Sequence, residues 1–329
     1  MSFIESSESE LINKVDSYNV QNTIPKSYVH RTMVGEVFLT DIKKIHDNKY
    51  VTVGYLPKSH SYFNDLFYQK TNDRVYDAIL LLEVCRQTSI YVTHHFFSVP
   101  YSAKFVFDNA DFTLFDSEIP YKTECSTILV VVDIIERKFR RSELNGLVFH
   151  MDIYVDGYCY AQKIMSISWM DDRKWYRLRS QRPLECYDTT SVVPATSFEV
   201  GRQLLQNVVV GNLDIHNSGV NTTLIVDQCH PSIFDHPLDH VPGMLLIEAY
   251  RQTALLAILN RLGAQHFDLV IKRYNVNFKT FCEFNLPIYC HANIGNLYFK
   301  KGKKNIIVSM VISQNKQIVS ESELTITFK

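Results

Sequence analysis

Apolar residues fill most positions of two stretches, YDAILLLEVCRQTSIYVTHHFF at 76–97 and VPGMLLIEAYRQTALLAILNRL at 241–262. Neither alternates, and neither keeps its apolar residues to one side, so the pattern predicts two helices wrapped on most of their faces. The two stretches also say the same thing twice. The string L-L-x-E-x-x-R-Q-T recurs at a constant spacing of 165 residues, about half of the 329-residue chain. The flanks repeat as well: SHSYFND at 59–65 resembles CHPSIFDH at 229–236, and VFDNADFTLF at 106–115 resembles IKRYNVNFKTF at 271–281. A repeat of this length implies one fold, duplicated.

After each helix the pattern changes to alternation. VFHMDIYVDGYCYAQKIMSISWM alternates around Asp156-Gly157, a dipeptide favoured in tight hairpins, and NIIVSMVISQNKQIVSESELTITF alternates around Asn315-Lys316. Each copy therefore reads as one or two strands, a loop carrying a histidine (His60 or His230), one long apolar helix, and several strands. This order argues for an α+β layout over alternating β-α units. An antiparallel sheet curled around the helix covers it on most sides, so the expected architecture is a tandem (double) hot-dog fold, each copy an antiparallel sheet wrapped around one long central helix. The expected boundaries are a polar N-terminal extension over 1–23, a first domain over 24–170, a polar aperiodic linker over 171–197, and a second domain over 198–329.

Charge narrows the partners. Lysine plus arginine number 34 and aspartate plus glutamate 35, which offers no field to attract nucleic acid or an anionic membrane, and neither is expected to bind. Seven cysteines without a C-x-x-C pair suit a reducing cytoplasm. The start shows no signal-peptide pattern, and the longest apolar run, Ile128 to Val132, stops at Asp133, so a cytoplasmic chain without a membrane span is expected. No glycine-rich phosphate loop, dinucleotide fingerprint or G-x-S-x-G elbow occurs. His94-His95, and His236 with His240, lack the spacing of a closed metal site. Neither metal nor cofactor is expected.

The polar stripe in each apolar helix is the first candidate for chemistry. Glu83, Arg86 and Gln87 share a face at helical spacing, as do Glu248, Arg251 and Gln252. One reading is a structural ion pair with a neighbouring amide, which duplication would copy faithfully. The other is a catalytic notch in a buried helix, with Glu83, Arg86, Glu248 and Arg251 acting on substrate and Gln87 and Gln252 binding it. The loop before the second helix adds Asp235, His236, Asp239 and His240. An imidazole beside a carboxylate can act as general acid or base, though aspartate before a helix can simply cap it. The first copy has Arg74-Val75-Tyr76 where the second has Asp239-His240-Val241, and Asp77-Ala78 where it has Pro242-Gly243. This divergence predicts one composite site, or one active and one supporting site. Lys300, Lys301, Lys303 and Lys304 read as a solvated loop, or as a surface for an acidic carrier protein.

The segment HPLDHVPGMLLIEAYRQ at 236–252, together with IPKSYVHRTMVGEVFLTD at 24–41 and LLLEVCRQTSIYVTHHFFSVP at 80–100, resembles the A-factor biosynthesis (AfsA) hot-dog family. That resemblance spans roughly residues 24–329. It implies transfer of a β-ketoacyl group from a carrier-protein or coenzyme A thioester to a small hydroxyl acceptor such as dihydroxyacetone phosphate, by a monomer or homodimer without cofactor. Glu83, Arg86, His236, His240, Glu248 and Arg251 would be catalytic, with Gln87, Asp239 and Gln252 binding substrate. A more distant likeness, to the β-hydroxyacyl-carrier-protein dehydratases, matches His236 and Glu248 to their loop histidine and helix acid. The rival functions are therefore dehydration or hydrolysis of an acyl thioester, and non-catalytic acyl binding.

Overall fold

The computed structural model describes residues 18–70, 74–115, 118–183, 185–217 and 219–329. Most of the expected N-terminal extension, residues 1–17, lies outside them. The first copy runs β1 (Leu39–His46), β2 (Lys49–Leu56), helix α1 (Ala78–Phe97), β3 (Lys104–Leu114), β4 (Ser126–Arg140), β5 (Glu143–Val155) and β6 (Tyr158–Met170). A short helix α2 (Asp172–Arg179) follows. The second copy runs β7 (Val210–His216), β8 (Gly219–Leu224), helix α3 (Gly243–Leu262), β9 (Leu269–Phe278), β10 (Ile288–Ile294), β11 (Tyr298–Lys300), β12 (Lys303–Gln314) and β13 (Gln317–Phe328).

Both long helices form because they are buried nearly all round. In α1 even Glu83, Gln87, Thr88 and Thr93 are buried, and in α3 Glu248, Gln252 and Thr253 are too. Polar groups inside such a helix need partners, and Thr88 and Thr253 find theirs in the sheet: Thr88 meets Thr52 at 2.9 Å and Thr253 meets Thr222 at 2.8 Å. The hairpins turn where the alternation breaks. Asp156 and Gly157 have φ of 49° and 85°, and Asn315 and Lys316 have 49° and 63°, the positive pairs that a two-residue turn between twisted strands requires.

The described strands make one antiparallel sheet in the order β1-β2-β4-β5-β6-β3-β9-β13-β12-β10-β8-β7, with β11 beside β12. The order reads the same from either end, so the copies are related by a pseudo-twofold axis between β3 and β9. These two strands pair from Asn109↔Asn277 to Thr113↔Arg273. This is the tandem hot-dog architecture, with the two sheets fused into one continuous surface.

Candidate active site

In each copy the stripe glutamine ties its helix to the segment leading into the first strand. Gln87 donates to Glu36 O at 2.7 Å and accepts from Phe38 N at 3.0 Å. Gln252 repeats this with Asn207 O at 2.7 Å and Val209 N at 2.9 Å. Both amides are fully buried and occupied by backbone, which corrects the expectation that they bind substrate.

Each stripe glutamate is a buried hub. Glu83 accepts from Arg31 at 2.7 Å and from Arg86 and Gln87 at 2.8 Å. Burial alone would raise its carboxyl, but Arg31 and Arg86 outweigh that cost and bring it down to about 2. Glu248 accepts from Arg202 at 3.1 Å, Gln252 at 2.5 Å and the Tyr62 hydroxyl at 3.2 Å, and it forms an ion pair with Arg251 at 2.7 Å. The upstream arginine of each hub reaches across to the other copy. Arg31 donates to Ser232 O at 3.1 Å and to Asp235 at 3.0 Å, while Arg202 donates to Tyr62 O at 2.7 Å. The loop histidines are staples of the same kind. His60 and His230 each accept two loop N–H groups at Nδ1, so Nε2 is left to donate to Glu36 at 3.3 Å or Asn207 at 2.9 Å.

At this point the copies part. Asp77 caps α1 by accepting from Ile79 N at 2.9 Å, and it also takes Arg251 at 2.7 and 2.8 Å. Its counterpart before α3 is Pro242, which offers no side-chain cap. Arg86 therefore has no second carboxylate, and its side chain is 20% exposed where that of Arg251 is 7% exposed. Tyr62, whose hydroxyl closes on Glu248, has the much smaller Ser232 as its counterpart.

A cavity of about 1000 Å³ opens beside Glu83 and Arg86. Its lining includes the polar side chains of His30, Glu83, Arg86, Lys104, His236 and His240 and the apolar ones of Ile90, Phe105, Phe107, Met165, Ile167 and Met244. Glu248 and Arg251 are not among its lining residues. The expectation that Glu248 and Arg251 act on substrate is corrected: Arg251 is sealed by Asp77 and Glu248.

The loop before α3 brings both of its histidines to this cavity. His236 Nδ1 lies 2.5 Å from Asp235 and His240 Nδ1 lies 2.6 Å from Asp239, which leaves Nε2 of each ring for a substrate. Burial works against the Asp235 carboxyl, yet its bond to His236, the charge of Arg31 and the Thr32 N–H hold it well below the usual range. Asp239 comes down to about 2 in the same way: burial is outweighed by His240, Arg179 and the Trp175 indole N–H at 2.9 Å. Asp239 thus orients His240, whereas it was expected to bind substrate.

The stretch between β6 and β7 is more than a tether. Helix α2 places Trp175, Tyr176 and Arg179 on the cavity wall. Arg179 binds Glu283 through two hydrogen bonds of 2.6 and 2.7 Å and stacks on Phe281 at 4.6 Å. A tryptophan within a charged stretch was the available signal for this helix. His30 and Arg31 also line the cavity, although neither stands out in the sequence. The repeat that reveals them, V-H-R at 29–31 and V-G-R at 200–202, runs at a spacing of 171, six residues off the helix repeat.

Fold and cavity together define a tandem hot-dog protein whose two copies both line one cavity. The chain belongs to the A-factor biosynthesis hotdog domain family (AfsA), which it matches over residues 12–171 and 188–329. It is 28% identical over 233 residues to a 2-oxo-3-(phosphooxy)propyl 3-oxoalkanoate synthase of Streptomyces virginiae, covering 71% of this chain and 76% of that one. A synthase of the same name from Streptomyces coelicolor is 27% identical over 289 residues, covering 86% and 87%. Among solved structures, a pyran synthase domain from module nine of the sorangicin pathway superposes with a TM-score of 0.54 at 9% identity, covering 89% of this chain and 98% of that one. A thioesterase-like protein of Novosphingobium aromaticivorans superposes with 0.52 at 10% identity, covering 88% and 98%. At such identities the likeness shows the fold alone. No helix among the described residues is long and apolar enough to cross a membrane.

Proposed function

We propose that the chain is an acyltransferase that moves a 3-oxoacyl group from a thioester to the hydroxyl of a small phosphorylated alcohol of the dihydroxyacetone phosphate kind. The name of its Streptomyces relatives describes an ester of that composition. The observation that carries the reading is a cavity whose lining joins apolar side chains to Arg86, Lys104 and two carboxylate-held imidazoles.

The apolar lining suits the acyl chain. Arg86 is aimed by Glu83 through two hydrogen bonds of 2.8 and 2.9 Å, and it is the stripe cation with exposed surface left to offer a phosphate or a developing oxyanion. Glu83 is then a positioning residue, and Glu248 with Arg251 supports the fold of the composite site from the other copy. Attack on the thioester requires that the hydroxyl lose a proton and that the departing sulfur gain one, and His236 and His240 offer Nε2 for such transfers. A 3-oxoacyl thioester is activated enough that holding it beside the hydroxyl supplies part of the acceleration by proximity. A carrier-protein or coenzyme A donor, a monomer or homodimer, and a cytoplasmic location belong to the same proposal.

The direct test gives the purified chain a 3-oxoacyl carrier protein, or a short thioester mimic, together with dihydroxyacetone phosphate. Mass spectrometry is expected to show the phosphorylated 3-oxoacyl ester only when both substrates are present. Release of free acid at the same rate with and without the alcohol would replace transfer with hydrolysis.

A further inference from the structure

His30 stands in the cavity wall with a backbone that few side chains adopt. Its φ is 52°, in the left-handed region where a side chain costs free energy and glycine does not. The equivalent residue of the second copy is Gly201, with φ of 72°. Each immediately precedes the arginine, Arg31 or Arg202, that completes a glutamate hub. The fold thus asks for glycine here and obtains it in the copy whose hub is sealed. The copy whose hub faces the cavity carries an imidazole instead, and strain retained at such a place points to function.

The ring's partners determine which nitrogen is free. His94 Nδ1 lies 2.7 Å from Val99 O, and a carbonyl only accepts, so His94 carries its proton on Nδ1. His94 Nε2 is then an acceptor. It lies 2.9 Å from His30 Nε2, which must therefore be the donor. Neither ring is charged: burial first, then His94, Arg86, His236 and Lys104, push His30 down to about 3, and burial lowers His94. His30 Nδ1 is left with an unshared pair. The second copy has Leu259 in place of His94 and Gly201 in place of His30, so the imidazole pair exists only beside the cavity.

We propose that His30 Nδ1 receives the proton of the attacking hydroxyl, a role that rests on the acyl-transfer reading above. As the alcohol oxygen bonds to the thioester carbon, its proton passes to His30 Nδ1. As the carbon–sulfur bond breaks, the sulfur leaves with its electron pair and takes that proton from His30 Nδ1. This restores the start, and the balance is alcohol plus thioester giving ester plus thiol. A phosphate drawn to Arg86 and Lys104 counters two of the cations that depress the proton affinity of His30, so the base is strongest when a phosphorylated alcohol is in place. This assigns the phosphate a part in the chemistry as well as in binding.

The test uses the full chain carrying His30→Gly, which gives this position the residue found at 201. Its melting temperature is expected to equal or exceed that of the wild type. Ester formation from dihydroxyacetone phosphate should fall roughly 100-fold or more, the range for loss of a general base, while affinity for the thioester mimic holds. Imidazole added to the variant should restore part of the rate. His94→Leu should cost roughly tenfold, since the ring remains but its tautomer is no longer held. Long-range proton–nitrogen NMR of the wild type should find His30 unprotonated at Nδ1 at neutral pH. Ester formation by His30→Gly within threefold of wild type, a large drop in its melting temperature, or a proton on His30 Nδ1 would each overturn the proposal while leaving acyl transfer standing. A wild-type chain that forms no ester would instead remove the reading beneath it, and the proposal with it.

Discussion

Glu248→Ala is expected to lower stability by about 3–5 kcal/mol, the usual cost of leaving buried cations uncompensated. Arg202 is fully buried and Arg251 nearly so, and both have Glu248 as a partner within 3.1 Å. Asp77 would still hold Arg251, but it stands 3.9 Å from Arg202 and cannot replace the lost hydrogen bonds. Glu83→Ala should cost less, because Arg31 keeps Asp235 at 3.0 Å and Arg86 is partly exposed. Arg86→Ala is expected to differ: Arg86 is partly exposed, and Glu83 keeps Arg31 and Gln87, so the fold should lose about 1 kcal/mol or less. Transfer should nevertheless fall at least tenfold in that variant if Arg86 holds the phosphate. Urea unfolding measured beside ester formation separates the two effects. Equal destabilisation by Arg86→Ala and Glu248→Ala would show that both stripes are purely structural.

Acid should destabilise the chain in two stages with different origins. In the folded protein His30 is pushed down to about 3 and His266 to about 4, in both cases chiefly by burial, against an ordinary histidine value of 6.5. Between those limits the unfolded chain binds more protons than the folded one, so stability must fall as pH drops from 6.5 toward 4. The carboxylates act lower. Glu83 and Asp239 are held at about 2, so their contribution is complete above the ordinary carboxylate range and is lost as pH falls from there through 2. Stability from urea titrations should therefore be level above pH 7, decline gently to pH 4 and decline steeply below it. His30→Gly should flatten the upper decline by about 1–3 kcal/mol, given 1.36 kcal/mol per pKa unit. An unchanged upper slope in that variant would mean that His30 is not the buried neutral ring described here.

The helices, the hairpins and the duplication were all legible in the chain because each is written in local periodicity. A mostly apolar stretch of 20 residues without alternation reads as a wrapped helix, and alternation around Asp156-Gly157 reads as a hairpin. The stripes were legible as residue types, and so was the divergence of the loops before the two helices. Which stripe faces a cavity was not. That depends on what the other copy places against each hub: Asp77 and Tyr62 against Arg251 and Glu248, but Pro242 and Ser232 toward Arg86 and Glu83. Arg31 meets Asp235 from 204 residues away, and Trp175 in the connecting segment meets Asp239 from 64 away. The same holds for His30, whose ring acquires a fixed tautomer only through His94 and Val99. Periodicity records how a segment buries its own surface, so it determined the elements and their repetition. Charge compensation, space and proton position are properties of groups from distant segments brought within hydrogen-bond reach, and only the packed pair of copies decided them.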